Sequence, residues 1–399
     1  VGEEFGTKTV EQFNMGGIGS AYSSPFHLNF SNPASLSELS LTTYAFGILN
    51  NRLTVKSVET SQSSNSTSLS YFAIGIPVSD RIGLIAGMQP TSAVGYSLIN
   101  TIEDGNGELI DLTQFTGSGA VNRLYGGIGI RLFKGISVGG EIDFLFGNVE
   151  NSVINLRQNV VLTTKNVEDA NIRGASVKLG LQYKKDLKNN YQVKAGATFK
   201  LENSLRATGQ EHLYSVILAT NGAEFPRDTI FSGALRGKLN RPLETSVGIG
   251  LGKIDKWYAE VDYSFRDAFD ATGYLNDASQ SFAYGDYSRV SLGGFYIPKI
   301  NALNNYWQRV TYRAGLRYER TGLLVNGVPG GSTFTGINDF GMSFGIGLPI
   351  GKQFPSSLNF AVEYGQRGTT DNSLLQENYL NLRLSLSLND KWFIKRRID

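Results

Sequence analysis

Asn378-Tyr-Leu-Asn-Leu-Arg-Leu-Ser-Leu-Ser-Leu388 alternates leucine with polar residues: Leu380, Leu382, Leu384, Leu386 and Leu388 share one face, and Asn381, Arg383, Ser385 and Ser387 the other. Successive strand side chains point to opposite faces, so this is a strand with one apolar and one wet side. The pattern recurs at Ala175 to Tyr183, at Trp257 to Phe265 and at Met342 to Leu348. Counting such runs predicts fourteen strands, near 40–49, 66–78, 81–98, 119–133, 135–150, 172–186, 190–206, 241–252, 256–268, 286–299, 306–321, 336–350, 356–367 and 377–388.

Their connections alternate. Links around Ser79, Lys134, Leu187 to Asn189, Lys253 to Asp255, Ile300 to Asn305 and Gly351 to Pro355 are tight, whereas those from 50, 99, 151, 207, 269, 322 and 368 are long. A water-soluble sandwich has no reason to sort loops by parity, but an outer-membrane barrel does, with short periplasmic turns and longer outer loops. The fold class is therefore all-β, a 14-stranded antiparallel transmembrane barrel over residues 40–388. Trp257, Trp307 and Trp392 then share the short-turn rim, where aromatics anchor a barrel in the membrane interface. The opposite strand face carries Arg131, Glu141, Asp143, Lys194, Lys200, Glu202, Glu260, Asp262, Arg313, Arg317, Glu363 and Arg383, charges that fit a wet lumen and not an apolar core.

Composition narrows the remainder. The 399 residues hold 47 glycines and no cysteine, which removes disulfides, thiolate metal sites and thiol nucleophiles. With 37 basic and 35 acidic residues there is no cationic excess to point to nucleic acid. No run approaches the ~18 to 20 apolar residues of a spanning helix. The chain begins at Val1, which fits removal of an export signal.

Residues 1–39 do not alternate. They hold the glycine-rich Met15 to Gly19, then Asn32 and Pro33 ahead of a short helical stretch, Ala34 to Leu39. Fourteen strands enclose more space than wall side chains fill, so this segment is expected to fold into the barrel as a plug, with small lumen-facing residues such as Gly248, Gly250, Gly345 and Gly347 leaving room for it. Residues 389–399 form a basic periplasmic tail.

The segment Asn14-Met-Gly-Gly-Ile-Gly-Ser-Ala-Tyr through Phe30-Ser-Asn-Pro-Ala-Ser-Leu36, ahead of fourteen strands, resembles the FadL-type (OmpP1 and toluene-transport) outer-membrane proteins, whose N-terminal hatch ends in Asn-Pro-Ala. Gly87-Met-Gln-Pro-Thr-Ser-Ala-Val-Gly-Tyr96 and Pro242 with Gly248-Ile-Gly-Leu-Gly252 agree with this. The basic Lys391 to Asp399, in place of a terminal aromatic strand residue, departs from it. The resemblance implies passive uptake of hydrophobic small molecules past the hatch (Phe13, Asn14, His27, Asn32, Pro33) and sideways through the wall. Pro90 has no N–H for a strand ladder and marks a bulge or a lateral opening; Gly87, Met88 and Gly95 flank it. The implied partners are outer-membrane lipid, a hydrophobic ligand and other outer-membrane or periplasmic proteins, and no cofactor or metal is expected. The alternative reading is an accessory barrel in a larger secretion or barrel-assembly complex.

Enzymatic readings are weaker. Gly135-Ile-Ser137-Val-Gly139 matches a nucleophile-elbow pattern but starts a strand instead of linking strand to helix. Only His27 and His212 could serve a zinc site or a triad. The pairs Glu141 with Asp143 and Glu260 with Asp262 read as lumen ion-pairing groups before acid-base pairs, and Glu103-Asp-Gly-Asn-Gly-Glu108 as a hairpin turn before a calcium loop. The stretch Leu213 to Ala219, with Phe225 and Phe231, makes the fourth outer loop a ligand groove, a cap or a partner contact.

Overall fold

The leucines of the last strand point outward. In the computed structural model, which describes residues 3–219, 223–276, 282–327, 333–350 and 355–392, Leu382 and Leu388 are 45% and 42% exposed, while Arg383 and Ser385 are 7% and 1% exposed. Apolar side chains lie outside and polar ones inside, an arrangement stable only with hydrocarbon against the wall.

The wall strands are β1 (Thr42–Lys56), β2 (Ser61–Ser79), β3 (Ile82–Glu103), β4 (Leu109–Phe133), β5 (Ile136–Arg157), β6 (Thr163–Asp186), β7 (Tyr191–Lys200), β8 (Glu244–Lys253), β9 (Trp257–Arg266), β10 (Tyr287–Tyr296), β11 (Thr311–Val325), β12 (Thr335–Ile350), β13 (Ser356–Gly368) and β14 (Gln376–Asp390). Neighbours pair antiparallel, and β14 closes on β1 from Gln376↔Lys56 to Asp390↔Thr42. The fourteen-stranded barrel is thus as the alternation predicts. Three boundaries differ: β7 stops at Lys200 and not 206, β10 at Tyr296 and not 299, and β11 begins at Thr311 and not 306.

The outer rim departs further. The long loops expected from 50, 99 and 151 are mostly strand, closed by turns at 57–60, 104–108 and 158–162. Ser61 to Asn65, ahead of the expected strand start at 66, carries no apolar residue, so no alternation marks it. The expected loop 207–240 is a hairpin, Asn203–Leu218 with Glu224–Arg241. Its first strand pairs with the outer half of β6 (Thr163↔Val216 to Gly174↔Leu205) and its second with Asp270–Gly273. Below it, β7 and β8 pair directly. Strands β7 to β10 have ten residues each, matching the ~9 to 11 that cross a bilayer. Strands β3 to β6 have 22, 25, 22 and 24 residues and stand well above it.

Residues 5–41 lie inside the barrel. Thr9 and Gln12 form a capping box on the short helix α1 (Val10–Phe13), and the Asn32 side chain caps the 3-10 helix Pro33–Glu38. The wall offers this segment glycines where its backbone comes close. A Cβ at Gly315 would land on Gly16 N, one at Gly293 on Met15 O, one at Gly196 on Ser20 O and one at Gly139 on Pro33 and Ala34. Among the glycines expected to make room, Gly345 faces Asn14 and Gly248 lies near Ser20, whereas Gly250 and Gly347 accommodate wall side chains, Tyr258 and Arg313.

Candidate functional site

Electrostatics fix the N-terminal segment in the lumen. Its buried amides meet wall carboxylates: Gly19 N donates to Asp262 Oδ2 (2.8 Å) and Glu260 Oε1 (3.1 Å), Ser20 N to Asp262 Oδ2 (3.0 Å) and Ala21 N to Glu260 Oε1 (2.9 Å). Its carbonyls meet wall donors: Lys178 Nζ reaches Phe30 O (2.8 Å), Lys194 Nζ reaches Ser23 O (2.8 Å), Gln182 Nε2 reaches Tyr22 O (3.0 Å) and Arg289 Nη2 reaches Gly16 O (2.9 Å). An irregular backbone leaves donors and acceptors unpaired, and charged acceptors satisfy them strongly. The Glu260 and Asp262 pair thus holds the segment.

The expected hatch residues occupy distinct places. Phe13 lies under the Arg383 guanidinium, 3.9 Å from the ring centroid. Asn14 Nδ2 donates to Phe360 O (3.0 Å). Asn32 Nδ2 donates to Ser20 O (2.7 Å) and Leu181 O (3.1 Å), joining two turns of the segment to the wall, and Pro33 packs against Gly139 and Gly180. His27 bridges Ser24 Oγ and Ser357 Oγ, both at 3.2 Å.

Burial first, and the Arg313 charge second, lower the His27 pKa to about 3. Above the unfolded value of ~6.5 both seated and released His27 are neutral. Below it only the released form takes up a proton, so the seated state loses about 1.4 kcal/mol per pH unit until the folded pKa is reached. Amide protection near His27, corrected for intrinsic exchange, should therefore fall roughly 30-fold between pH 7 and 5, and His27→Gln should remove that dependence. Lys8 is likewise lowered to about 8 by burial and then by Arg289.

Between the segment and the wall lies a cavity of about 240 Å³ lined by nine cationic side chains (Lys8, Arg123, Lys200, Arg241, Arg266, Arg289, Arg317, Arg367, Arg383) and five carboxylates (Asp143, Glu244, Glu319, Asp339, Glu363). Arg123 pairs with Glu141 (3.0 Å) and Asp143 (2.9 Å), Arg317 with Glu363 (3.0 Å) and Asp339 (3.2 Å), and Arg383 with Glu363. Arg131 lies lower, bound to Glu38 (2.8 Å). Lys184 and Arg131 together outweigh the burial of Glu38 and hold its carboxyl below the usual range. Of the expected lumen charges, Glu202 is exposed beyond the end of β7. The lumen charges expected singly from the sequence are thus gathered into one charged chamber.

The wall is broken where Pro90 stands. Strands β2 and β3 pair only from Ser79↔Ile82 to Phe72↔Met88. At that height β2 carries an unmatched Ser70 and β3 an unmatched Thr91, the latter between Pro90↔Asn122 and Ser92↔Val121 on β4. Above it the facing edges separate, and backbone of residues 3–5 pairs with the β3 edge at Thr91 to Ala93, with Phe5 N donating to Thr91 O (2.7 Å). Gly87 lies under the Tyr125 hydroxyl, Met88 is 40% exposed on the outer face, and a Cβ at Gly95 would meet open space.

Trp257 opens β9 edge-on to Tyr191, and Trp392 follows β14 edge-on to Tyr44. Trp307, expected to begin a strand, sits instead in the short helix Tyr306–Gln308, where Asn305 Oδ1 accepts its N–H. Of the expected tail, Asn389 and Asp390 belong to β14 and residues 393–399 lie outside the described residues. Ser137 is a β5 residue bonded to Ser37 Oγ (2.8 Å), and Asp104 Oδ1 accepts from Asn106 N and Glu108 N (both 2.8 Å), closing a turn. His212 lies in the outer hairpin, bonded to Gln210 (3.1 Å).

The architecture matches solved FadL-type channels. A Pseudomonas aeruginosa FadL homologue superposes with a TM-score of 0.65 at 11% identity, over 98% of this chain and 100% of that one. The Ralstonia pickettii toluene transporter TbuX gives 0.64 at 14% identity over 96% and 98%, and the Pseudomonas putida toluene transporter TodX 0.62 at 16% over 98% and 99%. No curated protein sequence matches the chain. At these identities the likeness is one of fold, a FadL-type outer-membrane barrel. The sequence model of the BamG family matches residues 1–399, and the chain belongs to that family.

Proposed function

We propose that this protein is an accessory barrel of a larger outer-membrane assembly, held in the membrane by its aromatic short-turn rim and docking partners through its tall outer wall. The observation that carries the reading is apolar surface beyond the reach of lipid. Leu98, Ile99 and Ile102 near the β3 tip, Val160 and Val161 in the β5–β6 turn, and Phe225, Ile230 and Phe231 in the hairpin are 50 to 78% exposed. Large apolar side chains left facing water favour burial against a partner. The ion-paired lumen supports the same reading, since an apolar solute passing Arg123, Arg317 and Arg383 would strip water from charges without replacing it.

Gentle detergent extraction should yield a stoichiometric complex, and Leu98→Asp with Ile102→Asp and Phe231→Asp should release a folded lone barrel. A wild-type barrel that purifies alone would sink this reading. The second reading, passive uptake of hydrophobic compounds by a lateral route, is supported by the β2–β3 breach and by the likeness of fold to the toluene transporters TbuX and TodX. It predicts that Pro90→Val lowers apolar-probe uptake into liposomes, and unchanged uptake would count against the lateral route.

A further inference from the structure

We propose that the lumen holds a compact oxyanion of phosphate type between Lys8, Lys200 and Arg289. Both the 240 Å³ cavity and a smaller one of about 100 Å³ beneath it are lined by these three side chains. Other lumen cations lie against carboxylates: Arg123 on Glu141 and Asp143, Arg317 on Glu363. Among the described residues, the Lys200 ammonium has no ion pair within 4.0 Å and no hydrogen bond, and the Lys8 ammonium has only Ser31 Oγ, at 3.1 Å. Arg289 approaches a carboxylate no closer than 3.6 Å, at Glu319, which Arg317 holds at 3.3 Å.

The two carboxylates shared by both cavity linings do not close the gap. Asp143 is taken by Arg123 and Ser176 Oγ (2.8 Å), and Glu244 lies 3.8 Å from Arg266. Three cations line one enclosed space with a single ion pair within 4.0 Å among them, Arg289 with Glu319, and enclosed charge is stable only when paired. A small anion with several acceptor oxygens satisfies both ammoniums together. Ser31, Ser246 and Ser264, which line the smaller cavity, add hydroxyl donors. The oxyanion is either free or the head of a larger molecule.

Calorimetry on the whole barrel in detergent, with inorganic phosphate in one arm and hexyl phosphate in the other, tests this. Binding of inorganic phosphate identifies a free anion, and binding of hexyl phosphate alone identifies a headgroup; both support the site. Lys8→Gln and Lys200→Gln should each weaken binding about tenfold or more, as expected on losing a charge-assisted bond. Lys238→Gln, exposed on the outer hairpin, should leave it unchanged. Heat-modifiable gel mobility verifies that each variant is folded. Failure of wild type to bind either probe, or equal binding by the folded double lysine variant, overturns the proposal.

Discussion

Gly315→Val is expected to expel Met15 and Gly16 from the lumen and convert a closed barrel into a conducting one. On β11 the Gly315 position touches segment backbone: a Cβ there would land on Gly16 N and Met15 C, and on the neighbouring strand Gly293 meets Met15 O. A side chain can rotate away from an intruding methyl, but a backbone pinned by Gly16 N to Ser343 Oγ (3.0 Å) and Arg289 Nη2 to Gly16 O (2.9 Å) cannot. Overpacking against movable side chains costs about 1–3 kcal/mol, and here the seated state must give way. Planar-bilayer conductance should rise well above wild type, with amide protection lost over residues 14–18. Gly95→Val, pointing into open space, is the matched control. Retained protection in Gly315→Val would show that the segment has other room.

The second large effect is expected from Glu260→Ala with Asp262→Ala. Two carboxylates accept from three buried amides, Gly19, Ser20 and Ala21, and Tyr258 Oη also bonds Glu260. Removing the acceptors leaves each donor unsatisfied at about 1–3 kcal/mol, so exchange of these amides should accelerate on the order of 10³-fold. The wall should survive, because β9 keeps its ladders to β8 and β10. Hydrogen exchange read by mass spectrometry, with heat-modifiability as the fold control, separates the two. Equal exchange in variant and wild type would assign the holding to the lysine and glutamine donors instead.

How far these features can be read from sequence depends on what each residue faces. Strand alternation was legible because lipid demands apolar side chains on one face, and Leu380 to Leu388 obeys that rule. It fades above the membrane, where Ser61 to Asn65 has water on both faces; the outer ends of β1 to β6 and the hairpin strand from residue 207 onward therefore read as loops. Pro90 announces a break because it lacks a donor, but the partner edge and the residues 3–5 that pair there carry no local signal. Asn32 with Pro33 is a readable cap. The Glu260 and Asp262 pair was placed in the lumen by period two, with ion pairing to a strand or the plug as the expectation. Their actual acceptor role toward backbone amides depends on irregular chain that no periodicity describes.

The seating of the first forty residues also orders assembly in time. Gly19 bonds Glu260 across 241 residues, and Glu11 accepts from Asn359 across 348. Such non-local contacts form slowly, because chain entropy is lost before they can return it. The N-terminal segment therefore has these partners only once β9 and β13 are in place, and pairing of β14 with β1 closes the wall around it. Seating of the segment is thus coupled to closure of the barrel. A chain truncated before β13 would leave Glu11 and Asn14 without Asn359 and Phe360, and its glycine-rich segment would remain outside an unclosed sheet.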